Sequence, residues 1–188
     1  IKCDIVTNKN FNNVTKTRYV CEETNHMFIR VDSNDKIERI ENIKNVDLNY
    51  DLVAISDYNK GFLSLEDIQY ICDKHKNVFL DTKKILGKWC ENVNYIKINN
   101  QEFEKTKHTL TKSLMKKIIH TKGGDGCFFQ GENFPTQKVE IKDLSGAGDT
   151  FFAGLIFNFL KSNNIKDAIK FANICAAKVV QQRGVTTI

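Results

Sequence analysis

The chain has 188 residues, of which 41% are hydrophobic and 27% charged, as in an ordinary globular protein. This length suffices for one domain with a sizeable core, and the composition argues against wholesale disorder. No apolar run approaches the roughly 18–20 residues that a membrane helix needs, and no secretory signal is visible after Ile1. The net charge of +5 comes from lysines scattered among acids, which is typical of a solvated surface and not of a nucleic-acid interface.

The six cysteines and four histidines are dispersed, and no pair has the Cys-x-x-Cys spacing. This dispersion disfavours a zinc site. Cys72, Cys127 and Cys175 lie among apolar neighbours, as small core residues do. We therefore expect a cytoplasmic protein that has neither nucleic acid nor a membrane as its partner.

The first segment predicts an antiparallel hairpin. Val14 to Cys21 is rich in Thr, Val and Tyr, and Met27 to Asp32 alternates apolar with polar residues. The polar turn Glu22 to Asn25 lies between them. Two extended runs joined by a short polar turn are the usual pattern of a hairpin.

From Leu52 onwards, short apolar runs alternate with helical sequence. Each run ends in a polar residue, and one of the helices opens with a capping box of Ser64 and Asp67. This alternation predicts a parallel sheet with helices on its faces, and ligands bind such sheets at the carboxyl ends of their strands. Four strand-end residues should gather along that edge: Asp57, Asp81, Asn99 and Thr121. The alternative for Asp57 and Asp81 is that they only cap the turns that follow.

The remainder of the chain departs from this alternation. Two further strands are predicted at Cys127 to Phe129 and Gln137 to Ile141, joined by a turn at Gly131 to Pro135. Such strands would form an antiparallel edge of the sheet. Two closing helices are predicted at Gly146 to Lys161 and Lys166 to Gln182. The predicted fold class is therefore α/β.

The strongest chemical signal is Gly146-Ala147-Gly148-Asp149, at the junction of a strand and an apolar helix. Two glycines there let backbone N–H groups point into one concavity, and the helix dipole adds positive charge. An aspartate in the first helical turn faces the same space. This arrangement suits phosphoryl transfer to an alcohol, with the carboxylate as general base. The alternative is a tight turn followed by an acid that only stabilises the dipole.

The segment Asp143 to Phe151 resembles the C-terminal motif of the ribokinase-like (PfkB) carbohydrate kinases, with Leu144 as a mild departure. Other segments resemble family motifs in the same order, and they imply a ribokinase-like fold. Asn99 to Glu102 matches N-x-x-E, which implies that Asn99 and Glu102 organise Mg²⁺. Thr121 to Gly126 matches T-x-G-x-x-G, which implies nucleotide contacts from Thr121, Gly123 and Gly126, as does the Ala-Asn pair ending in Asn173.

A closer resemblance links the chain to the heptose-7-phosphate kinase/ADP-heptose synthase branch. The residues that carry it are Thr15 to Arg18, Arg30 to Asp32, Ser56 to Gly61 and Asp81 to Lys83, where Thr82 replaces the usual proline. The resemblance implies ATP and Mg²⁺ as cofactors, with a monovalent cation as a further candidate. Lys83 would then contact the nucleotide, and four residues would contact the sugar phosphate: Lys16, Arg18, Asp57 and Lys60. For Lys60 and Lys83, an ordinary surface position is equally compatible with the sequence.

The resemblance also implies a division of the chain and a function. Residues 1–40 would form a lid hairpin with its connection, and residues 41–188 the nucleotide-binding and catalytic portion. Family members carry a longer stretch before the hairpin that supplies much of the sugar pocket, so we expect a truncated form that self-associates as a homo-oligomer. The expected activity is ATP-dependent phosphorylation of a sugar phosphate, most specifically D-glycero-D-manno-heptose 7-phosphate. The alternatives are a kinase for another sugar or a nucleoside, and a non-catalytic nucleotide-binding module.

Overall fold

A computed structural model describes residues 5–8, 14–24, 26–184 and 186–188, and these form two separate sheets. Strands β1 (Thr15–Val20) and β2 (Met27–Ser33) pair antiparallel. They confirm the predicted hairpin, although Asn25 of its turn lies outside the described residues. Every side chain of β1 is exposed, and only one residue of β2 is partly covered.

The main sheet has the strand order β3-β4-β5-β6-β7-β8. Its first four strands are parallel and its last two pairings antiparallel, which confirms the predicted α/β class. The strands are β3 (Val53–Asp57), β4 (Val78–Thr82), β5 (Tyr95–Asn99), β6 (Ile118–Thr121), β7 (Cys127–Phe129) and β8 (Glu132–Phe134). The helices are α1 (Leu65–Lys74), α2 (Asn100–Thr106), α3 (Lys112–Met115), α4 (Ala147–Ser162) and α5 (Ile165–Val179). No helix in the described part of the chain combines the length and hydropathy that crossing a bilayer requires.

A hydrophobic core covers each face of this sheet. Successive residues of a strand point to opposite faces, and β4 shows the result: Val78 and Leu80 enter one core, whereas Phe79 enters the other. The first core includes α1, and the second includes α4 and α5. The sheet is therefore sandwiched between helices, with its carboxyl edge left open above the strand ends.

The predicted strand at Gln137 to Ile141 is wrong. The strand that pairs with β7 is β8, reached through a turn at Gln130 and Gly131 whose φ angles of 49° and 86° suit a tight hairpin. Pro135 follows β8 and has no N–H to donate to a ladder. The side-chain amide of Asn173 instead donates to the carbonyls of Phe134 and Pro135 at 2.9 and 3.4 Å. The segment after β8 is thus tied to α5 and does not extend the sheet.

The described cysteines are free thiols: Cys21, Cys72, Cys90, Cys127 and Cys175. All of these except Cys21 are buried. Burial raises the pKa of the Cys72 and Cys127 thiols to about 12, so both are neutral at pH 7. They act as small apolar residues, as the sequence predicted.

Helix α1 begins at the predicted capping box. Ser64 Oγ accepts from the Asp67 N–H at 3.2 Å, and Asp67 Oδ2 accepts from the Ser64 N–H at 2.8 Å. Arg39 adds a bidentate pair to the same carboxylate, with Nη2–Oδ1 at 2.7 Å and Nε–Oδ2 at 2.8 Å. These bonds lower the pKa of Asp67 to about 2, with the Arg39 hydrogen bonds as the largest cause. The segment that leads from the hairpin to β3 is thereby fastened to α1.

This pair makes the unfolding free energy depend on pH. Because the pKa of Asp67 is lowered from 3.8 to about 2 on folding, its contribution is present above about pH 4 and is lost as the pH falls towards 2. We expect Arg39→Leu to destabilise the chain at pH 6, and the difference from the parent to shrink by pH 2.5. Urea unfolding followed by circular dichroism measures both values. The exposed pair of Lys107 and Glu104 supplies the control Lys107→Leu, for which we expect little effect at either pH. A difference for Arg39→Leu that stays constant with pH would contradict the assignment.

Candidate active site

A cleft of about 800 Å³ opens at the carboxyl edge of β5 and β6. Its walls are the Gly123–Asp125 turn, the first turn of α4, the segment after β8 and one side of α5. The structure brings together in this cleft several residues that the sequence singled out: Asn99, Thr121, Gly123, Gly126, Ala147, Gly148 and Asn173. Its size falls within the range of small-molecule and cofactor sites, about 300–1,000 Å³.

The first turn of α4 supplies the polar end of the cleft. Gly146 is the N-cap with φ 78°, a left-handed conformation that costs glycine nothing, and it has no side chain to accept from the helix N–H groups. The Ala147 N–H donates to the Leu144 carbonyl at 3.3 Å. The helix dipole and the other N–H groups at the start of α4 favour an anion in the cleft. Asp149 follows in the same turn and is exposed.

A buried ion pair lies next to this turn, and it was not predicted from the sequence. Lys97 Nζ lies 2.7 Å from Asp81 Oδ2, and the Lys97 side chain is only 8% exposed. A Cβ atom added to Gly148 would lie 3.0 Å from the same Nζ. The ammonium group thus lies beside the helix N-terminus, and after its bond to Asp81 it still has N–H groups to donate. The signal in the sequence was a lysine between Ile96 and Ile98 in an otherwise apolar strand, a position where an unpaired charge would be costly.

Negative charge gathers around that lysine. Burial raises the pKa of Asp81, and the nearby carboxylates of Glu102 and Asp149 add to the rise, while Lys97 opposes it. The three acids and Lys97 therefore share one electrostatic environment at the strand ends. A carboxyl group whose pKa is shifted by burial and by neighbouring charges is common where a protein binds or transforms a ligand.

Asn99 and Glu102 form a capping box at the start of α2. Asn99 Oδ1 accepts from the Glu102 N–H at 3.0 Å, and Glu102 Oε2 accepts from the Asn99 N–H at 2.8 Å. Among the described residues, no three His, Cys, Asp or Glu side chains converge to hold a metal ion. Mg²⁺ commonly uses one or two carboxylates together with substrate phosphates and waters. Glu102 is therefore suited to contribute to a Mg²⁺ ion that phosphates also hold.

Asp149 has a hydrogen-bond partner that no pattern in the sequence indicated. Tyr58 Oη lies 2.8 Å from Asp149 Oδ1 and 3.0 Å from Oδ2, so the phenol donates to the carboxylate. Burial raises the pKa of Tyr58, and the bond to Asp149 and the charges of Asp81 and Glu102 raise it further. The phenol thus keeps its proton at neutral pH and remains a donor.

The predicted sugar-phosphate contacts are mostly engaged elsewhere. Asp57 is 8% exposed, and its Oδ2 accepts from Thr82 Oγ1 at 2.8 Å and from Lys84 Nζ at 2.7 Å. These contacts favour the alternative that Asp57 caps the turn. Lys60 forms an ion pair with Asp35 and does not line the cleft.

The hairpin residues and Lys83 also lie outside the cleft walls. Lys16 pairs with Asp32 across the hairpin at 3.1 Å. Arg18 lies near enough to Asp143 to help lower the pKa of that carboxyl, although the N–H and hydroxyl of Ser145 lower it more. Lys83 Nζ lies over the Tyr58 ring, 4.4 Å from its centroid.

Asn173 has a supporting position in the cleft wall. It is 4% exposed, and its amide nitrogen is bonded to main-chain carbonyls after β8. Its own main-chain carbonyl accepts from Thr136 Oγ1 at 3.3 Å. Asn173 thus shapes the wall that faces the Gly123–Asp125 turn.

The sequence pattern of the pfkB family carbohydrate kinases matches residues 4–188. The bifunctional protein HldE of a Nitratiruptor species is 31% identical over an alignment of 190 positions, which covers 87% of this chain and 41% of that protein. A bifunctional protein HldE of Helicobacter pylori is 32% identical over an alignment of 217 positions, which covers 96% of this chain and 45% of that protein. The chain therefore spans less than half the length of these curated relatives.

Solved structures show the same fold. The ribokinase of Thermotoga maritima aligns with a TM-score of 0.68 at 18% identity, over 90% of this chain and 63% of that one. A nucleoside kinase of Methanocaldococcus jannaschii is described as an archaeal member of the ribokinase family. It aligns with a TM-score of 0.64 at 18% identity, over 89% of this chain and 61% of that one. The predicted ribokinase-like fold is confirmed. With the match along nearly the whole chain, this chain belongs to the pfkB family of carbohydrate kinases.

Proposed function

We propose that this chain forms the nucleotide-binding and base-bearing part of a kinase that transfers the γ-phosphoryl group of ATP to a sugar phosphate. The observation that carries the proposal is the placement of Asp149 in the first turn of α4, directly after Gly148, which lines the cleft and lies against the Lys97 ammonium. Asp149 itself is not among the residues that line the cleft. A kinase needs these two elements side by side: positive groups for the phosphoryl oxygens and a base for the acceptor hydroxyl.

The residues divide the chemistry as follows. The N–H groups of Gly146 and Gly148 and the ammonium of Lys97 stabilise charge on the γ-phosphoryl oxygens. The Ala147 N–H can join them once it releases the Leu144 carbonyl, to which it donates at 3.3 Å. Asp149 accepts the proton of the hydroxyl as that oxygen bonds to phosphorus and the bond to the bridging oxygen of ADP breaks. Mg²⁺, when bound, neutralises phosphate charge, and Glu102 is the carboxylate that would help to hold it. The monovalent cation remains a prediction.

For the acceptor we propose D-glycero-D-manno-heptose 7-phosphate, phosphorylated at its anomeric hydroxyl. The support is the similarity to the HldE proteins and the resemblance of the Ser56 to Gly61 segment to the heptose kinase branch. Lys16 and Arg18 stay candidates for the sugar phosphate, since both lie on the exposed hairpin. The division at residue 40 and the cytoplasmic location likewise stay predictions.

A nucleotide-binding module without turnover is the second candidate. The observation that favours it is that two proposed sugar contacts are already engaged within the chain: Asp57 is paired with Lys84, and Lys60 is paired with Asp35. Thermal unfolding with Mg-ATP, and then with a panel of sugars and sugar phosphates, separates the two candidates. Stabilisation by the nucleotide alone supports the module, whereas a further rise with heptose 7-phosphate supports the kinase.

We expect Asp149→Asn to lower phosphoryl transfer by about 10²–10⁴-fold, the usual effect of losing a general base. The affinity for Mg-ATP should change little, because the carboxylate acts on the acceptor proton and not on the nucleotide. Coupled ADP release and calorimetry measure the two quantities. Asp167→Asn is the matched control, since Asp167 is also a first-turn acid but belongs to α5. Retention of more than a tenth of kcat in Asp149→Asn would overturn the base assignment.

Glu102→Gln tests the metal assignment separately from the fold. Glutamine at this position can still complete a capping box, so the variant removes charge and leaves the start of α2 in place. We expect a several-fold higher Mg²⁺ concentration at half-maximal rate and a smaller change in the KM for the sugar. An unchanged Mg²⁺ dependence would remove Glu102 from the metal site.

We further propose that a second copy of the chain covers the hairpin. Several of its apolar side chains are exposed, among them Phe28 at 70% and Ile29 at 55%, and such a surface promotes association. We expect concentration-dependent self-association in sedimentation velocity, weakened in Phe28→Ser. Leu160→Ser is the control, because Leu160 is similarly exposed at 52% but lies on α4. A monomer at all concentrations, or equal weakening by both variants, would contradict the proposal.

A further inference from the structure

We propose that Tyr58 is the positioning residue of the base, and that its phenol holds the place of the acceptor hydroxyl until an acceptor binds. In this role Tyr58 directs the base towards a bound sugar and away from water. The inference rests on the proposed function, because it requires Asp149 to be the base.

The contact has the geometry of an acceptor hydroxyl on its base. Tyr58 Oη lies within 3.0 Å of both oxygens of Asp149, although it has only one proton to donate. An acceptor hydroxyl that gives its proton to Asp149 must come within a similar distance of the same carboxylate. The phenol and the acceptor therefore compete for one side of it.

A rigid turn presents the phenol. On one side of Tyr58, Asp57 is held by Thr82 and Lys84, and on the other, the Asn59 N–H donates to Asp57 Oδ1 at 3.0 Å. Asn59 adopts a left-handed φ of 56°, which closes the turn tightly. The buried network around Asp57 thus fixes the main chain that carries Tyr58.

The ring itself is restrained from above. Lys83 Nζ lies 4.4 Å from the ring centroid, within cation–π distance. The Lys83 N–H donates to the Asp57 carbonyl at 3.1 Å, so this cation belongs to the same network. Tyr58 is 42% exposed, so there is space on its solvent side into which the ring can turn when a larger group displaces it.

This arrangement affects water as an acceptor. In hydrolysis, the water oxygen bonds to the γ-phosphorus, the bond to the bridging oxygen breaks, ADP leaves, and the water proton passes to Asp149. Water must displace the phenol with no other contact to compensate. A sugar phosphate is held by the remainder of its structure and can displace the phenol at lower cost. Tyr58 therefore favours a tethered hydroxyl over water.

The test is ADP release from Mg-ATP without any sugar, measured with Tyr58→Phe, which keeps the ring and removes the hydroxyl. We expect the rate to rise about tenfold, the equivalent of roughly one hydrogen bond to a charged group. Tyr50→Phe is the matched control, since Tyr50 is an exposed tyrosine on a surface segment before β3. Adding Asp149→Asn to Tyr58→Phe should abolish the gain.

The other outcomes distinguish a wrong role for Tyr58 from a wrong proposed function. An unchanged or lower rate in Tyr58→Phe, with Mg-ATP affinity retained in calorimetry, overturns the role of Tyr58 and leaves the proposed function standing. A higher rate of ADP release that persists when Asp149→Asn is added to Tyr58→Phe overturns the role of Tyr58 as well. Absence of Mg-ATP binding in the parent chain overturns the proposed function itself.

A measurement on the unaltered chain covers the case in which Tyr58→Phe fails to fold. In a crystal structure with Mg²⁺ and a non-hydrolysable ATP analogue, and without sugar, Tyr58 Oη should remain bonded to Asp149. A separation beyond about 3.5 Å, the limit of a hydrogen bond, would overturn the proposal.

Discussion

The close packing of α4 against α5 determines where the candidate site lies. A Cβ atom on Gly154 would lie 3.0 Å from Cys175 Sγ and 3.4 Å from Ala172 Cα, so the helices approach as closely as they do because this position has no side chain. Phe151 and Leu155 then bury the inner face of α4 in the core that also contains Phe79. This packing holds the first turn of α4 at the carboxyl edge of the sheet, and the glycine N–H groups and Asp149 depend on that placement.

Two buried ion pairs fix the positions of groups around the first turn of α4. Asp57 with Lys84 fixes the turn after β3, and Asp81 with Lys97 places an ammonium group under Gly148. Buried pairs contribute little net stability, because desolvation offsets their attraction. Their effect is therefore positional: one pair fixes the turn that carries Tyr58, and the other holds the Lys97 ammonium where phosphates would bind.

The sequence predicted features that depend on neighbouring residues, such as the hairpin and the capping box of Ser64, and it predicted that strand ends would share one edge. The sequence did not predict features that depend on contacts between residues far apart in the chain. The alternation of residues 137–141 indicates a strand, but Asn173 draws the preceding carbonyls to α5. Tyr58 and Asp149 are 91 residues apart, and no local pattern joins them. The spacing Asn99-x-x-Glu102 is typical of a capping box as well as of a metal motif, so spacing alone could not separate the two.

The proposed function requires the nucleotide to bind in the cleft beside α4, and the structure has a second cavity of nearly equal size. That cavity, of about 770 Å³, lies beside β6 and β7 and is lined by Phe103, His120 and Phe128. Backbone amide shifts of the ¹⁵N-labelled chain, recorded as Mg²⁺ and a non-hydrolysable ATP analogue are added, distinguish the two sites directly. We expect the largest shifts at Gly123 to Gly126 and Gly146 to Asp149. Largest shifts around Phe103 and Phe128, with the α4 amides unchanged, would contradict it.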